Sequence, residues 1–134
     1  MNREILFKAK RTDNGEWVEG YYVKYQPCAS RPEYVHGIVP TYASALYMIK
    51  IDPDTLCQYT GLTDKNDKRI WENDIIRTFE NDSKDTLINI VKFIDGCFKV
   101  FKKHYLPMTL DCYEKSDLES IGNIFDNLDL LDEG

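Results

Sequence analysis

Short apolar runs separated by polar, turn-rich breaks recur along the whole chain at spacings of roughly eight to twelve residues, the cadence of an all-β protein. Ile5 to Lys10 forms the first run. Glu16 to Tyr25 forms the second, with Trp17, Val18, Tyr21, Tyr22, Val23 and Tyr25 as strand formers. Asp13-Asn14-Gly15 between them is a turn signal, so the pair predicts a hairpin. Pro27, Ser30 and Pro32 predict a loop, and Val35 to Val39 a short strand. Leu46 to Ile51 ends at the turn Asp52-Pro53-Asp54, and Thr55 to Thr60 follows as another strand.

Residues 61–69 are polar and turn-rich. After Ile70-Trp71, Asp74 to Phe79 and Thr86 to Ile94 read as strands on either side of a charged loop, Asn81 to Asp85. The inward parity changes between Ile90 and Phe93, which predicts a bulge. Asp95-Gly96 predicts a tight hairpin turn into Cys97 to Lys102, because both central positions of such a turn need positive φ. At the end, Ser116-Asp117-Leu118-Glu119 has the spacing of a cap for a single helical turn, Ile121 to Phe125 reads as a last strand, and Asp126 to Leu131 as a terminal turn. The fold class is therefore all-β with minor helical turns. Residues 1–57 form an N-terminal β layer, and residues 58–134 have the size and hairpin spacing of a small, strongly bent barrel. No composition shift divides the two, so they are expected to pack as one compact unit.

A chain of 134 residues buries enough surface to hold a core without metal or disulfide. The aromatic content of 13% reinforces the strand reading. The net charge of −6 is unevenly spread: residues 1–60 are neutral, residues 61–110 carry +1, and residues 111–134 carry −7. An acidic end repels phosphate, which argues against non-specific nucleic-acid binding over the whole surface and leaves a local basic patch around Lys99, Lys102 and Lys103. No apolar segment approaches the length of a membrane span, and the first residues lack a secretion signal, so the expected location is the cytoplasm. Cys28, Cys57, Cys97 and Cys112 have no close pairing, and only His36 and His104 could assist them. No metal site and no cofactor is expected, and the cysteines are expected to be buried small apolar residues.

Three stretches carry a family resemblance. Arg3-Glu4-Ile5 through Phe7 and Ala9, followed by Trp17-Val18-Glu19-Gly20, is similar to a basic–acidic–apolar opening on a first hairpin. Asp52 to Ile76 contains Gln-Tyr-Thr-Gly-Leu-Thr-Asp-Lys-Asn-Asp-Lys-Arg-Ile-Trp-Glu-Asn-Asp-Ile-Ile. Ile121-Gly122-Asn123-Ile124-Phe125-Asp126-Asn127 closes the chain. Together these resemble the YopX family, whose central pattern runs Gln-Tyr-Thr-Gly-Leu-x-Asp-Lys-Asn-Gly-Lys-x-Ile-aromatic-Glu-Gly-Asp-Ile-Val. Asp67 and Asn73 stand where that pattern has glycine, and both residue types tolerate a left-handed backbone. The resemblance implies an all-β fold with an SH3-like β-barrel in its later part and carriage on phages, prophages and related mobile elements. It implies no activity.

Physically, the central motif reads as architecture. Tyr59 and Leu62 pack, Gly61 allows a bend, and Asp64-Lys65-Asn66-Asp67 turns the chain toward Ile70. A calcium loop is excluded because Arg69 and Ile75 occupy the positions that need Gly and Glu. Asp74 is placed to accept backbone N–H groups, and Gly122-Asn123 to permit a bend or bulge. If Glu72 and Asp74 lay two apart on one strand they could form a carboxylate pair, but no nucleophile or metal partner accompanies them, so no enzyme is expected.

The leading reading is a non-enzymatic binding or accessory protein with a protein partner. Its binding candidates are Tyr59, Trp71, Glu72, Asp74, Lys99, Lys102 and Lys103, with Trp71 and exposed tyrosines as anchors. The alternative is a nucleic-acid module that sets Lys92, Lys99, Lys102 and Lys103 beside Phe93, Phe98 and Tyr105. Strand edges leave room for self-association.

Overall fold

The structure, a computed structural model, describes residues 4–43, 47–79, 86–101 and 106–133. Every strand pairing described is antiparallel, and the two sheets run β4-β3-β2-β1-β5-β6 and β10-β9-β8-β7-β11. The chain divides into two compact units, Met1–Tyr59 and Thr60–Gly134.

In the first unit, β1 (Phe7–Lys10) and β2 (Trp17–Tyr25) form the expected hairpin, in register from Phe7 opposite Gly20 to Lys10 opposite Trp17. β3 (Val35–Pro40) pairs with β2 along its later length, and β4 (Ile49–Lys50) pairs with β3. β5 (Cys57–Thr63) begins beside β1, with Cys57 opposite Lys8. The turn before β5 is a single 3-10 turn, Pro53–Thr55. The Asp52 side chain caps it by accepting the Asp54 N–H, and proline takes a first-turn position where no N–H is needed. Alternate residues of a strand face opposite ways, so Val18 and Tyr22 share one face with Ala9 and Ile38. That face forms the core with Ile49 and Ile51. The Tyr22 hydroxyl lies 2.6 Å from His36 Nδ1, the two rings stacked, so the polar ends of this layer satisfy each other.

In the second unit, the end of β5 lies beside β6 (Arg69–Trp71). β7 (Asp74–Phe79), β8 (Thr86–Ile94), β9 (Cys97–Phe101) and β10 (Met108–Thr109) form a meander, and β11 (Leu118–Asn123) returns beside β7 after two 3-10 turns at Leu110–Cys112 and Lys115–Asp117. The core is Ile70, Ile76, Val91, Val100, Leu110 and Leu118, with Phe98 and Tyr113 against it. Among the described pairings β10 and β11 remain edges of the five-stranded sheet, and no closed barrel is found.

Several expectations are corrected. The bulge is in β11, where Ser120 faces Ile76 and Gly122 faces Ile75 with Ile121 between them. β8 keeps unbroken register with both neighbours. Its parity change arises because both faces of β8 carry apolar residues, Val91 on one and Ile88 and Ile90 on the other. Of the cysteines only Cys57 is buried; Cys28 and Cys112 are exposed and Cys97 lies between these extremes. Ser116-Asp117 belongs to the second 3-10 turn, and strand pairing starts already at Leu118. The 81–85 loop, Lys102 and Lys103 lie outside the described residues. Among the described residues no helix is long and apolar enough to cross a membrane.

Two substitutions of the family's glycines leave a visible trace. Asp67 has φ 62° and Asn73 φ 71°, so each holds the left-handed backbone that its turn requires. A left-handed non-glycine residue costs about 1–2 kcal/mol, with aspartate at the low end of that range, while the exposed Asp67–Lys115 ion pair offsets only a few tenths of a kcal/mol. Asp67→Gly is therefore expected to raise the unfolding free energy by about 0.5 kcal/mol after the entropy of glycine is counted, read as a higher urea midpoint. A lower midpoint would show that the turn is not strained.

Candidate functional site

In the second unit, residues 60–76 of the central signature meet the closing signature, 121–127, and Ser120 just before it. The β5–β6 turn is closed by the Asp64 N–H donating to Lys68 O at 2.8 Å and the Asp67 N–H to Asp64 O at 3.0 Å. Inside it lies the Asp64 side chain, 0% exposed. Its Oδ1 accepts the N–H groups of Asn66 and Lys68, both at 2.9 Å, and its Oδ2 accepts the Ser120 N–H at 2.8 Å. The Lys65 N–H adds a bond to Leu118 O at 2.9 Å. One carboxylate thus satisfies both its own turn and the first residues of a strand far along the chain, at the place where the β11 bulge interrupts the ladder.

The second turn works similarly. Asp74 Oδ2 accepts the Trp71 N–H at 2.9 Å, with Ser120 Oγ at 3.4 Å. Asn73 donates its N–H to Val91 O at 2.8 Å, accepts the Ile124 N–H at 3.0 Å on its carbonyl, and accepts Lys92 Nζ at 2.7 Å on Oδ1. The closing stretch folds on itself: Asn123 Oδ1 accepts the N–H groups of Phe125 and Asp126 at 2.9 and 3.0 Å, and Asn127 Oδ1 accepts the Asn123 N–H at 3.2 Å. Asn73, within the central signature, and Ser120, immediately before the closing one, are the junctions between the two stretches.

Burial pushes the Asp64 carboxyl upward, but the hydrogen bonds from Ser120, Lys68 and Asn66 and the charge of Lys68 outweigh it, and the group stays below its ordinary value. A carboxyl lowered in the folded state contributes stability that is complete above its unfolded value, near about 3.9, and is lost as pH falls through the folded value. Acid titration of stability should therefore be steeper below pH of about 4 in the native protein than in Asp64→Asn. Equal slopes in urea melts across that range would remove Asp64 from the acid-sensitive groups.

The expected site residues are distributed as follows. Tyr59 is 9% exposed, with its N–H donated to Leu6 O at 2.9 Å. Trp71, expected as an exposed anchor, is 4% exposed. It follows Ile70 directly on β6, and because consecutive strand residues face opposite ways, burial of both means that β6 is covered on both sides. Glu72 lies in the turn between β6 and β7 and not on a strand, while Asp74 opens β7 and is buried, so the two carboxylates do not share a strand face.

Lys99 lies directly opposite Lys92, whereas Phe93 lies opposite Phe98 with ring centroids 5.0 Å apart. Lysines and phenylalanines therefore point to opposite faces of the β8–β9 ribbon and cannot form one stacking platform. Lys99 Nζ lies 3.9 Å from Asp95. Lys102, Lys103 and Tyr105 are outside the described residues.

A different surface emerges in the first unit. On β2, Trp17, Glu19, Tyr21, Val23 and Tyr25 share the face opposite the core residues Val18 and Tyr22. Register adds Lys8 and Lys10 from β1, Val35 and Val39 from β3, and Lys50 from β4. Lys8 Nζ lies 4.6 Å and Lys10 Nζ 5.5 Å from the Trp17 ring centroid. Tyr21 is 53% and Tyr25 42% exposed, and Tyr34, Tyr42 and Tyr47 in the same unit are also exposed. The signal that could have found this face is parity: Trp17, Tyr21 and Tyr25 are spaced by four, an even number, on a strand whose other parity carries the core.

The fold and these sites define a small all-β protein of two antiparallel sheets whose motif carboxylates bind its own backbone and whose N-terminal sheet presents an aromatic, lysine-bearing face. The YopX protein family model matches residues 6–132, and the chain belongs to the YopX family. Two solved structures share the fold. Protein EF1440 from Enterococcus faecalis matches with a TM-score of 0.58 at 23% identity, covering 97% of this chain and 99% of its own. Protein yopX from Bacillus subtilis matches with a TM-score of 0.59 at 16% identity, covering 94% and 97%. A comparison with curated proteins finds no match.

Proposed function

We propose that the protein is a non-enzymatic binding module, an accessory protein of a phage or related mobile element, and that the outward face of β1–β2–β3 is its contact surface. The observation that carries this reading is the contrast between the two candidate regions. The signature carboxylates Asp64 and Asp74 accept hydrogen bonds from the protein's own backbone, while Tyr21 and Tyr25 stand exposed on a sheet whose opposite face is the core. Tyrosine gives large, rigid, amphipathic contact area at low entropic cost, which suits recognition. The mobile-element setting is supported by the family resemblance. An SH3-like barrel in the second unit is supported by its strand order, a four-strand meander with the fifth strand returning beside the first after 3-10 turns.

The test is retention of a cellular component by immobilised protein, identified by mass spectrometry and by nuclease and protease sensitivity. Tyr21→Ser with Tyr25→Ser is expected to lose at least about tenfold of that retention at an unchanged melting temperature, since two exposed anchors are removed without touching the core. Equal retention by the variant contradicts the placement of the surface.

A further inference from the structure

We infer that this face binds single-stranded nucleic acid, an inference that rests on the binding-module reading and supplies its partner class. Three observations converge. First, the aromatic side chains of this face stand in one row along a single strand, with Val23, Val35 and Val39 among and beside them. The rings recur along β2 at every fourth residue, roughly 13 Å apart, with lysines at their flank. Second, the Lys8 and Lys10 ammonium groups lie over the Trp17 ring. A base stacking on that indole face takes their place and leaves the two cations beside its phosphates, the pairing of π-face and positive charge that a single strand uses. Third, the charge of this face runs against that of the whole chain. Lys8, Lys10 and Lys50 share it with one carboxylate, Glu19, in a protein whose net charge is −6.

Duplex nucleic acid keeps its base faces stacked and offers nothing to Trp17 or Tyr21, so the unpaired strand is the favoured form. The basic patch first suggested by sequence lacks this arrangement, because Lys92 and Lys99 face away from Phe93 and Phe98.

The experiment is a fluorescence-anisotropy titration of the full chain with a labelled oligothymidylate, an oligouridylate and a duplex of equal length, over a range of salt. Both single strands are expected to bind more tightly than the duplex, with affinity falling steeply as salt rises. Trp17→Ala is expected to weaken binding by about tenfold or more. Lys8→Gln with Lys10→Gln should lower the slope of log affinity against log salt by about 1.4, at 0.7 per phosphate contact. Glu19→Gln should strengthen binding. Melting curves of each variant separate lost binding from lost folding, and Tyr21→Ser gives a second reading at an exposed position outside the core.

Absence of binding at low salt overturns the inference. So does binding that ignores Trp17→Ala and Lys8→Gln/Lys10→Gln, or that is lost instead in Lys99→Gln. If the oligonucleotides fail while a nuclease-resistant protein is retained through Tyr21 and Tyr25, the binding-module reading stands and the nucleic-acid assignment falls.

Discussion

Asp64→Ala is expected to lower the unfolding free energy by about 3–5 kcal/mol, enough to leave a typical domain partly unfolded at moderate temperature. The substitution removes a fully buried carboxylate that takes N–H groups from Asn66, Lys68 and Ser120. A hydrogen bond to a charged group contributes about 1.5–3 kcal/mol, and here three are lost together, offset in part where water reaches the N–H groups of the exposed Asn66 and Lys68. Asp64→Asn keeps one acceptor oxygen and should lose about 2 kcal/mol, because its NH2 group must face one of the N–H donors. Urea melts followed by circular dichroism measure both. The ordering of native, Asn variant and Ala variant matters most: if alanine were no worse than asparagine, the three bonds would not be acting together. A carboxylate kept for a ligand instead of for the fold would give little loss, or a gain in stability on removal.

Gly20→Ala is expected to cost about 3 kcal/mol through a different mechanism, collision between backbones. Gly20 sits in the middle of three strands, opposite Phe7 on β1 and Pro40 on β3. A Cβ there would press into the carbonyl oxygen of Val39 and come within 2.8 Å of its carbon and 2.9 Å of the Pro40 Cα. Backbone cannot rotate away as a side chain can, so β3 must shift from β2 and weaken their ladder. Gly122→Ala makes a useful contrast. Its Cβ would meet the Asn127 side chain, 2.7 Å from Cγ and 2.8 Å from Cβ; the amide can rotate away at the loss of its bond to the Asn123 N–H, while the Asn127 Cβ moves only with the backbone of its turn, which belongs to no strand ladder. The Gly122 variant should therefore lose less than the Gly20 variant in the same denaturant series. The reverse order would contradict the close approach of β2 and β3.

Much of this architecture was legible because it is encoded locally. The Asp95-Gly96 turn carries φ 53° and 84°, as its residue types require, and Asp67 and Asn73 adopt the backbone of the glycines they replace. The longer strands announced themselves through β-formers between breakers. β10, with two residues, was too short for any periodicity to register, and β5 ran on through Thr63 into a stretch whose polar residues read as turn. The bulge was misplaced because β8 is apolar on both faces, which removes the contrast that parity depends on. The role of Asp64 was legible only as a turn. Its third partner, the Ser120 N–H, is 56 residues away, and no local rule connects them. Parity does supply the opposed faces of Lys99 and Phe98, adjacent positions on one strand, and it also groups Trp17, Tyr21 and Tyr25.

Native-state amide hydrogen exchange at Ser120 is the most direct probe of whether the signature stretches hold the second unit together. The Ser120 N–H should be protected to the same degree as the amides of β7 and β8, and Asp64→Ala should release it selectively before those strands open. Exchange of Ser120 at the rate of an unprotected amide in the native protein would mean that Asp64 does not hold β11, and the structural role given to the motif would fail.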